Sequence, residues 1–310
     1  MAKMRIEGSF VATVTPFDST GAIDFGAFRT LIRHLGDHGT RAVLFMGSTG
    51  EPTLLTPEEK KRLIVETVKL RPADMFFFYG CSGPTTDQVI DNVRFAAANG
   101  ADGAIIAPPP YICAPESDIV EFYLEVADAT DLPLGIYNNP PRVKTDLDWT
   151  QLLRLFAHPN IVVHKESTAR VGQVGRILAA RPDVSVMCCD PPNLGLVVPT
   201  MALGGHGTAN MTGNLAPAEM ATLSTPWRGE GDAARFREQY LALLPLMHFN
   251  YSAINPVAVK SLMQACSLPV GTLRKPLRGL DAAALSAGIR AIRDLGLDER
   301  YGYRVRDLAA

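Results

Sequence analysis

Lys165 ends a short apolar run and is the residue of this sequence best suited to covalent chemistry. Residues 160–164 are rich in β-branched side chains, which is typical of a buried strand. Burial disfavours the charged form of an amine, and a neutral amine can condense with a ketone to form a Schiff base. A lone lysine at a strand end more commonly forms an ion pair or extends to solvent. The case for chemistry therefore depends on the residues that accompany it.

Residues that suit such a reaction follow several other predicted strands: Ser48, Thr49, Gly50, Tyr111, Tyr137, Arg142, Thr208 and Ala209. Tyr137 is the natural general acid/base, and Ser48 could relay a proton between Tyr137 and Tyr111. The Ser48-Thr49-Gly50 turn offers hydroxyls and N–H donors to a substrate carboxylate. Arg142 offers a planar fork for a second carboxylate. Each also has a structural alternative: a tight turn, a core tyrosine or a surface ion pair.

Eight strand-like runs alternate with helix-like segments and would position these residues. The predicted strands are 8–15, 42–46, 75–80, 103–107, 133–137, 161–165, 184–189 and 207–210. The clearest amphipathic helices are 24–38, 57–70, 86–99 and 116–129. This alternation favours a parallel sheet, and eight units favour a closed (β/α)8 TIM barrel, whose active site lies at the carboxyl ends of the strands. The G-x-G-x-x-G motif of a doubly wound fold is absent after the first strand.

The C-terminal part of the sequence is helical without strand partners. Predicted helices cover 229–249, 256–266 and 281–294. We expect a barrel over residues 1–228 and a small C-terminal helical domain over 229–310.

Composition excludes several classes of protein. The 310 residues carry a net charge of −2, so nucleic acid is not an expected partner. No apolar run reaches 18 residues, so a membrane is not expected either. The five cysteines include no C-x-x-C pair and indicate reduced thiols in a cytoplasmic protein. Cys188 and Cys189, at the end of the seventh predicted strand, could line the pocket, but we favour their interpretation as core residues. The six histidines lack metal-ligand spacing, so neither a metal nor another cofactor is expected.

These motifs resemble the dihydrodipicolinate synthase / N-acetylneuraminate lyase family of class I aldolases. The resemblance covers residues 8 to about 260 and rests on six signatures: Thr15-Pro16-Phe17, Gly47-Ser48-Thr49-Gly50-Glu51, Tyr137-Asn138-x-Pro140-x-Arg142, Lys165-Glu166-Ser167, Gly204-Gly205-His206-Gly207 and Asn255-Pro256-x-x-x-Lys260. It implies a homotetramer in which Lys165 forms the Schiff base and Tyr137 is the acid/base. It further implies that Tyr111 reaches into the neighbouring subunit's proton relay.

Arg142 in its motif looks like the synthase arm of the family. Other positions depart from that arm, among them Cys189-Asp190-Pro191 where synthases carry Gly-Asp-Asp. The first hypothesis is a lyase that forms a Schiff base with pyruvate or a related 2-oxo acid, with an aldehyde as possible partner, as in 4-hydroxy-tetrahydrodipicolinate synthase. A catabolic aldolase or dehydratase for 2-oxo-3-deoxy sugar acids is the alternative within the family. Two alternatives remain outside the family. One is a phosphosugar isomerase-type barrel, and the other is a non-catalytic 2-oxo acid binding protein.

Overall fold

Eight parallel strands close into a barrel in the computed structural model, which describes residues 3–305. The strands are β1 (Gly8–Ala12), β2 (Ala42–Phe45), β3 (Phe76–Gly80), β4 (Gly103–Ile106), β5 (Leu134–Asn138), β6 (Ile161–Glu166), β7 (Ser185–Cys188) and β8 (Gly207–Asn210). Each strand pairs with its neighbours in chain order, and β8 pairs with β1. All eight predicted strands and the predicted barrel are confirmed.

Helices cover the outside of the barrel between the strands. They are α1 (Phe25–Asp37), α2 (Pro57–Val68), α3 (Thr86–Ala98), α4 (Glu116–Asp128), α5 (Pro140–Val143), α6 (Trp149–Phe156), α7 (Gly172–Ala179), α8 (Val197–Ala202) and α9 (Pro217–Leu223). Local sequence sets their ends. Thr56 and Glu59 form a reciprocal capping box before α2, with Pro57 at the first position. Gly100 follows α3 with φ 85°, a conformation that glycine adopts without steric cost.

Four further helices follow the barrel: α10 (Asp232–Asn250), α11 (Val257–Ala265), α12 (Ala282–Asp294) and α13 (Leu297–Tyr301). The first three were predicted, and the short α13 was not. Leu243 and Leu246 of α10, Leu262 of α11 and Ile292 of α12 share one buried core with Met220 of α9. The C-terminal helices are therefore packed onto the barrel, and a domain boundary at 228/229 stays a prediction. Among helices in residues 3–305, none is long and apolar enough to cross a membrane.

The alternation of side chains along the strands sorts residues between the barrel interior and the helix layer. Phe10, Leu44, Val163, Met187 and Ala209 belong to one cluster that fills the interior. Because strand side chains alternate between faces, every second residue of β6 points outward instead. Lys165 shares the inward face with Val163, whereas its two neighbours face the helices. This alternation places the amine inside the barrel.

Candidate active site

Lys165 and Tyr137 lie side by side at the carboxyl ends of adjacent strands. The β5–β6 register pairs the two residues directly. The Nζ atom of Lys165 lies over the face of the Tyr137 ring, 4.1 Å from its centroid. Two groups separated by 28 positions in the chain are thus in contact because parallel strands end at the same edge. This is the pair that the sequence predicts.

The amine of Lys165 is buried with little to stabilise its charge. The side chain is 3% exposed, and it forms no ion pair with any described residue. Desolvation lowers the pKa of Lys165 below its ordinary value, and the neighbouring Arg142 guanidinium acts in the same direction. Cys189 and Asp190 oppose the shift. A lowered pKa increases the fraction of neutral amine, which is the nucleophilic form.

The hydroxyl of Tyr137 stays protonated in the same environment. Burial raises the pKa of Tyr137 well above its ordinary value, and the neighbouring Cys189 thiol adds to the rise. Arg142 and the nearby Ser48 hydroxyl act in the opposite direction. At neutral pH this phenol can therefore donate a proton, and it regains one readily after donating it. Lys165 and Tyr137 thus place a possible nucleophile and a possible acid next to each other.

The turn after β2 brings N–H donors toward this pair. Ser48–Gly50 form one turn of 3-10 helix, and the first N–H groups of such a turn have no acceptor within it. The hydroxyl of Thr49 accepts a hydrogen bond from Asn255 Nδ2 at 3.0 Å, and the Gly50 carbonyl accepts one from Thr15 Oγ1 at 2.7 Å. These bonds fix the turn, so that the donors of Ser48 and Thr49 are held in place.

A cavity of about 520 Å³ opens on the Tyr137 side of the pair, and Lys165 is not among its lining residues. Ser48, Tyr137 and Arg142 line it, together with Asn255. The Arg142 guanidinium donates to the Asn255 carbonyl at 3.0 Å, which holds one edge of the guanidinium and leaves its other N–H groups for a ligand. The cavity exceeds the size of a three-carbon acid, so a second molecule can enter beside it. No cluster of three or more metal-ligand side chains occurs among residues 3–305.

Three of the predicted residues lie elsewhere. Tyr111 is 100% exposed and has φ 75°, so a single chain does not bring it to the cavity. Thr208 faces the helix layer, where its hydroxyl contacts Ser224 Oγ at 2.6 Å. This placement corrects the expectation that Thr208 contacts the substrate, because outward strand residues cannot reach the interior. Ala209 faces inward and packs in the interior cluster, and its contact with a substrate stays a prediction.

Other residues near the site had no role from sequence. Cys189 was interpreted as a core residue, yet its Sγ lies 3.8 Å from the Tyr137 hydroxyl. Asn255 holds both Thr49 and Arg142. Lys260 donates to Glu51 Oε1 at 2.6 Å, and both side chains are fully buried. Asn255 and Lys260 stood in a recognised motif, but their partners lie more than 100 positions away and could not be paired from the sequence.

Comparisons with known proteins match this geometry. The model of the Dihydrodipicolinate synthetase family matches residues 5–293. The 4-hydroxy-tetrahydrodipicolinate synthase of Methylibium petroleiphilum is 33% identical over 293 residues, which are 94% of this chain and 99% of the relative.

Solved structures agree with the sequence comparisons. The dihydrodipicolinate synthase of Aquifex aeolicus has a TM-score of 0.85 at 29% identity, over 97% of this chain and 100% of that one. The chloride-inhibited enzyme of Acinetobacter baumannii, complexed with pyruvate, has a TM-score of 0.86 at 26% identity, over 94% and 99%. With a closed barrel, a buried lysine beside a tyrosine and a family match along almost its whole length, this chain belongs to the dihydrodipicolinate synthetase family.

Proposed function

We propose that this protein is a class I lyase that joins pyruvate to aspartate semialdehyde, the reaction of 4-hydroxy-tetrahydrodipicolinate synthase. The observation that carries the proposal is the buried amine of Lys165, which has no ion-pair partner among residues 3–305 and lies 4.1 Å from the centroid of the Tyr137 ring. Relatives that share most of the chain have this activity in their names. One relative of the same fold was solved with pyruvate bound.

The reaction begins with attack of Lys165 Nζ on the C2 carbonyl of pyruvate. Tyr137 donates a proton to the oxygen that leaves as water, which yields an iminium between Nζ and C2. Loss of a proton from C3 to the Tyr137 phenolate then gives an enamine. The C3 carbon of the enamine attacks the aldehyde carbon, and the new alkoxide takes a proton from Tyr137. Water or the substrate's own amine then attacks C2, the C2–Nζ bond breaks, and the released proton returns to the Tyr137 phenolate, which regenerates the neutral Lys165 amine.

The anionic groups of the substrates have separate binding positions in this proposal. The N–H groups of Ser48 and Thr49 receive the pyruvate carboxylate, since they open a helical turn toward the site. Arg142 receives the carboxylate of the aldehyde with the guanidinium edge that Asn255 leaves unused. A sugar isomerase would give Lys165, Tyr137 and Arg142 no common task, and the geometry therefore favours the lyase.

The protein is a homotetramer in this proposal, and Tyr111 completes the site of a neighbouring subunit. Tyr111 is wholly exposed and Ile112 is 66% exposed, and adjacent exposed apolar side chains are typical of a contact surface. The five cysteines are all free thiols, which suits the reducing cytoplasm.

Borohydride reduction with pyruvate tests the proposal directly. Mass spectrometry should show one reduced pyruvyl adduct, located on Lys165, and the adduct should be absent from the Lys165→Ala variant. Absence of the adduct in the unaltered protein would remove the Schiff base and with it the proposed reaction. A turnover panel of pyruvate with aspartate semialdehyde against 2-oxo-3-deoxy sugar acids then identifies the partner. Faster cleavage of a sugar acid would replace the synthase with a catabolic aldolase.

A further inference from the structure

Cys189 lies next to the Lys165–Tyr137 pair, on the side of β7. It follows the last residue of that strand, and its backbone N–H donates to the Glu166 carbonyl at 2.8 Å. Its side chain is 4% exposed. The thiol donates to the Tyr137 hydroxyl with an Sγ–O distance of 3.8 Å. Because Tyr137 lies on β5 and Cys189 follows β7, this contact spans the end of β6, from which Lys165 extends.

The backbone that carries Cys189 is held from the other side by Asp190. The Asp190 carboxylate is fully buried and accepts hydrogen bonds from four donors: Met211 N, Thr212 N, Thr212 Oγ1 and Tyr251 OH. A carboxylate with that many partners has little freedom to move. The thiol of Cys189 is thus presented from a fixed segment on the β7 side of the Tyr137 hydroxyl, while the Ser48 hydroxyl acts on the same phenol from the turn after β2.

We propose that Cys189 is a positioning residue that holds the Tyr137 ring over the Lys165 amine through its thiol. The inference rests on the proposed function, because it assigns Cys189 a part in the acid/base step of that reaction. A thiol is a weak donor. It orients the phenol without competing strongly for the proton that Tyr137 must pass to the substrate or to Ser48. A carboxylate or amide in its place would bind the hydroxyl firmly and hinder that transfer.

Burial and charge around the phenol agree with this role. The titratable and charged groups that face Tyr137 are Lys165 from β6, Cys189 after β7, Arg142 from α5 and Tyr251 after α10. Cys189 raises the pKa of Tyr137, and Arg142 lowers it. Burial also raises the pKa of the Cys189 thiol, so the thiol stays protonated and can donate to the phenol oxygen.

The test compares Cys189→Ala and Cys189→Ser with Cys188→Ala. Cys188 is the matched control, because it is the same residue type one position earlier, is also buried, and packs in the helix layer. We expect Cys189→Ala to lower kcat about three- to tenfold, the effect of losing one weak hydrogen bond, with KM for pyruvate changed less than about twofold. Cys189→Ser should retain most of kcat, since its hydroxyl also donates to the phenol. Cys188→Ala should keep the kcat and pH profile of the unaltered protein.

A double variant separates positioning from a structural effect. In a Tyr137→Phe background the thiol has no hydroxyl to hold, so the further change Cys189→Ala should cost no additional kcat. An equal loss in both backgrounds, or equal losses for Cys188→Ala and Cys189→Ala, would overturn the proposal. Borohydride trapping distinguishes the two proposals. If the unaltered protein forms the adduct on Lys165 and Cys189→Ala has unchanged kcat, only the role of Cys189 is refuted. If the unaltered protein forms no adduct, the Schiff-base reaction itself is refuted.

Discussion

At the scale of single residues, the site works by burial acting in opposite directions on two neighbouring groups. Desolvation lowers the pKa of Lys165 and raises the pKa of Tyr137, because burial disfavours the charged form of each. Burial thereby increases the fraction of neutral amine and keeps the phenol protonated. One physical cause thus provides both a nucleophile and an acid.

The lowered pKa of Lys165 predicts how adduct formation depends on pH. Below the pKa of Lys165 the amine is protonated and unreactive, so the rate of trapping should rise with pH and level off below the ordinary lysine value of 10.5. Stopped borohydride trapping with pyruvate across pH 6–10.5, read by mass spectrometry, measures this rate. A rate that kept increasing up to pH 10.5 would show an unperturbed amine.

At the scale of elements, the alternation of strand side chains decides which residues face the barrel interior. Lys165 of β6 and Tyr137 of β5 face inward, while Thr208 of β8 faces the helix layer. The Thr208 hydroxyl contacts Ser224 and also accepts from Asn210 Nδ2 at 3.0 Å. It therefore joins the strand to the segment after α9.

We predict that Thr208→Val reduces stability and leaves catalysis intact. The valine has nearly the volume of threonine but leaves buried partners without their hydrogen bond, which costs about 1–3 kcal/mol. Urea denaturation should show a lower free energy of unfolding, and kcat/KM should stay within about twofold of the unaltered protein. Thr222→Val is the control, because Thr222 is exposed and bonds only within its helix. A kcat/KM reduced tenfold or more in Thr208→Val would return Thr208 to the substrate site.

At the scale of the whole molecule, a buried ion pair connects the C-terminal helices to the residue that follows the Ser48–Gly50 turn. Lys260 of α11 contacts Glu51, the residue after the Ser48–Gly50 turn. Lys260 also donates to the Thr15 carbonyl at 2.7 Å, and Glu51 Oε2 accepts from Arg274 N at 2.9 Å. These contacts join the segments that follow β1 and β2 to the C-terminal segment that carries Lys260 and Arg274.

Replacing one member of the Lys260–Glu51 pair should destabilise the protein more than replacing both members. Lys260→Met or Glu51→Gln alone leaves a buried charge without its partner, at a cost of about 3–5 kcal/mol. The double variant removes both charges and should be more stable than at least one single variant. Urea denaturation of the three variants measures the coupling. Additive losses would show that the two side chains do not interact.

The same pair predicts a dependence on pH. Burial lowers the pKa of Lys260 to about 8, so the unfolded chain binds this proton more tightly than the folded one. From this group the free energy of unfolding should rise as pH increases from about 8 to 10.5. The pH dependence of unfolding, compared between the unaltered protein and the double variant, isolates that contribution. A difference that did not change over this range would place the pKa of Lys260 near its ordinary value.

The proposed role of Tyr111 in a neighbouring subunit predicts that two poorly active variants complement each other in mixed oligomers. If Tyr111 serves the neighbouring site, Tyr111→Phe and Lys165→Ala should each be poorly active alone. Mixed oligomers should regain activity, because a Tyr111→Phe subunit with an intact lysine then receives Tyr111 from its Lys165→Ala neighbour. Activity after unfolding and refolding the two variants together measures the recovery, with the variants refolded separately as the control. Mixtures no more active than the sum of their parts would confine Tyr111 to its own chain.

Much of this protein was predictable because the relevant signals are local. Short β-branched runs, a Thr-Pro-Glu-Glu helix start and glycine stops identify strands and helices, and their strict alternation predicts a closed barrel. The carboxyl ends of the strands then meet at one edge, so the sequence alone places Lys165 and Tyr137 together. The family signatures that contain both residues agree with this placement.

Only the tertiary structure decided which side chains near those ends belong to the site. Thr208 and Ala209 are adjacent in sequence and face opposite sides of the barrel wall, and sequence alone did not assign the faces of β8. Cys189 contacts a tyrosine 52 positions away, and Lys260 contacts a glutamate 209 positions away. Such pairs form because the chain closes on itself and excludes water between distant segments. That packing leaves no local periodicity from which the contacts can be read.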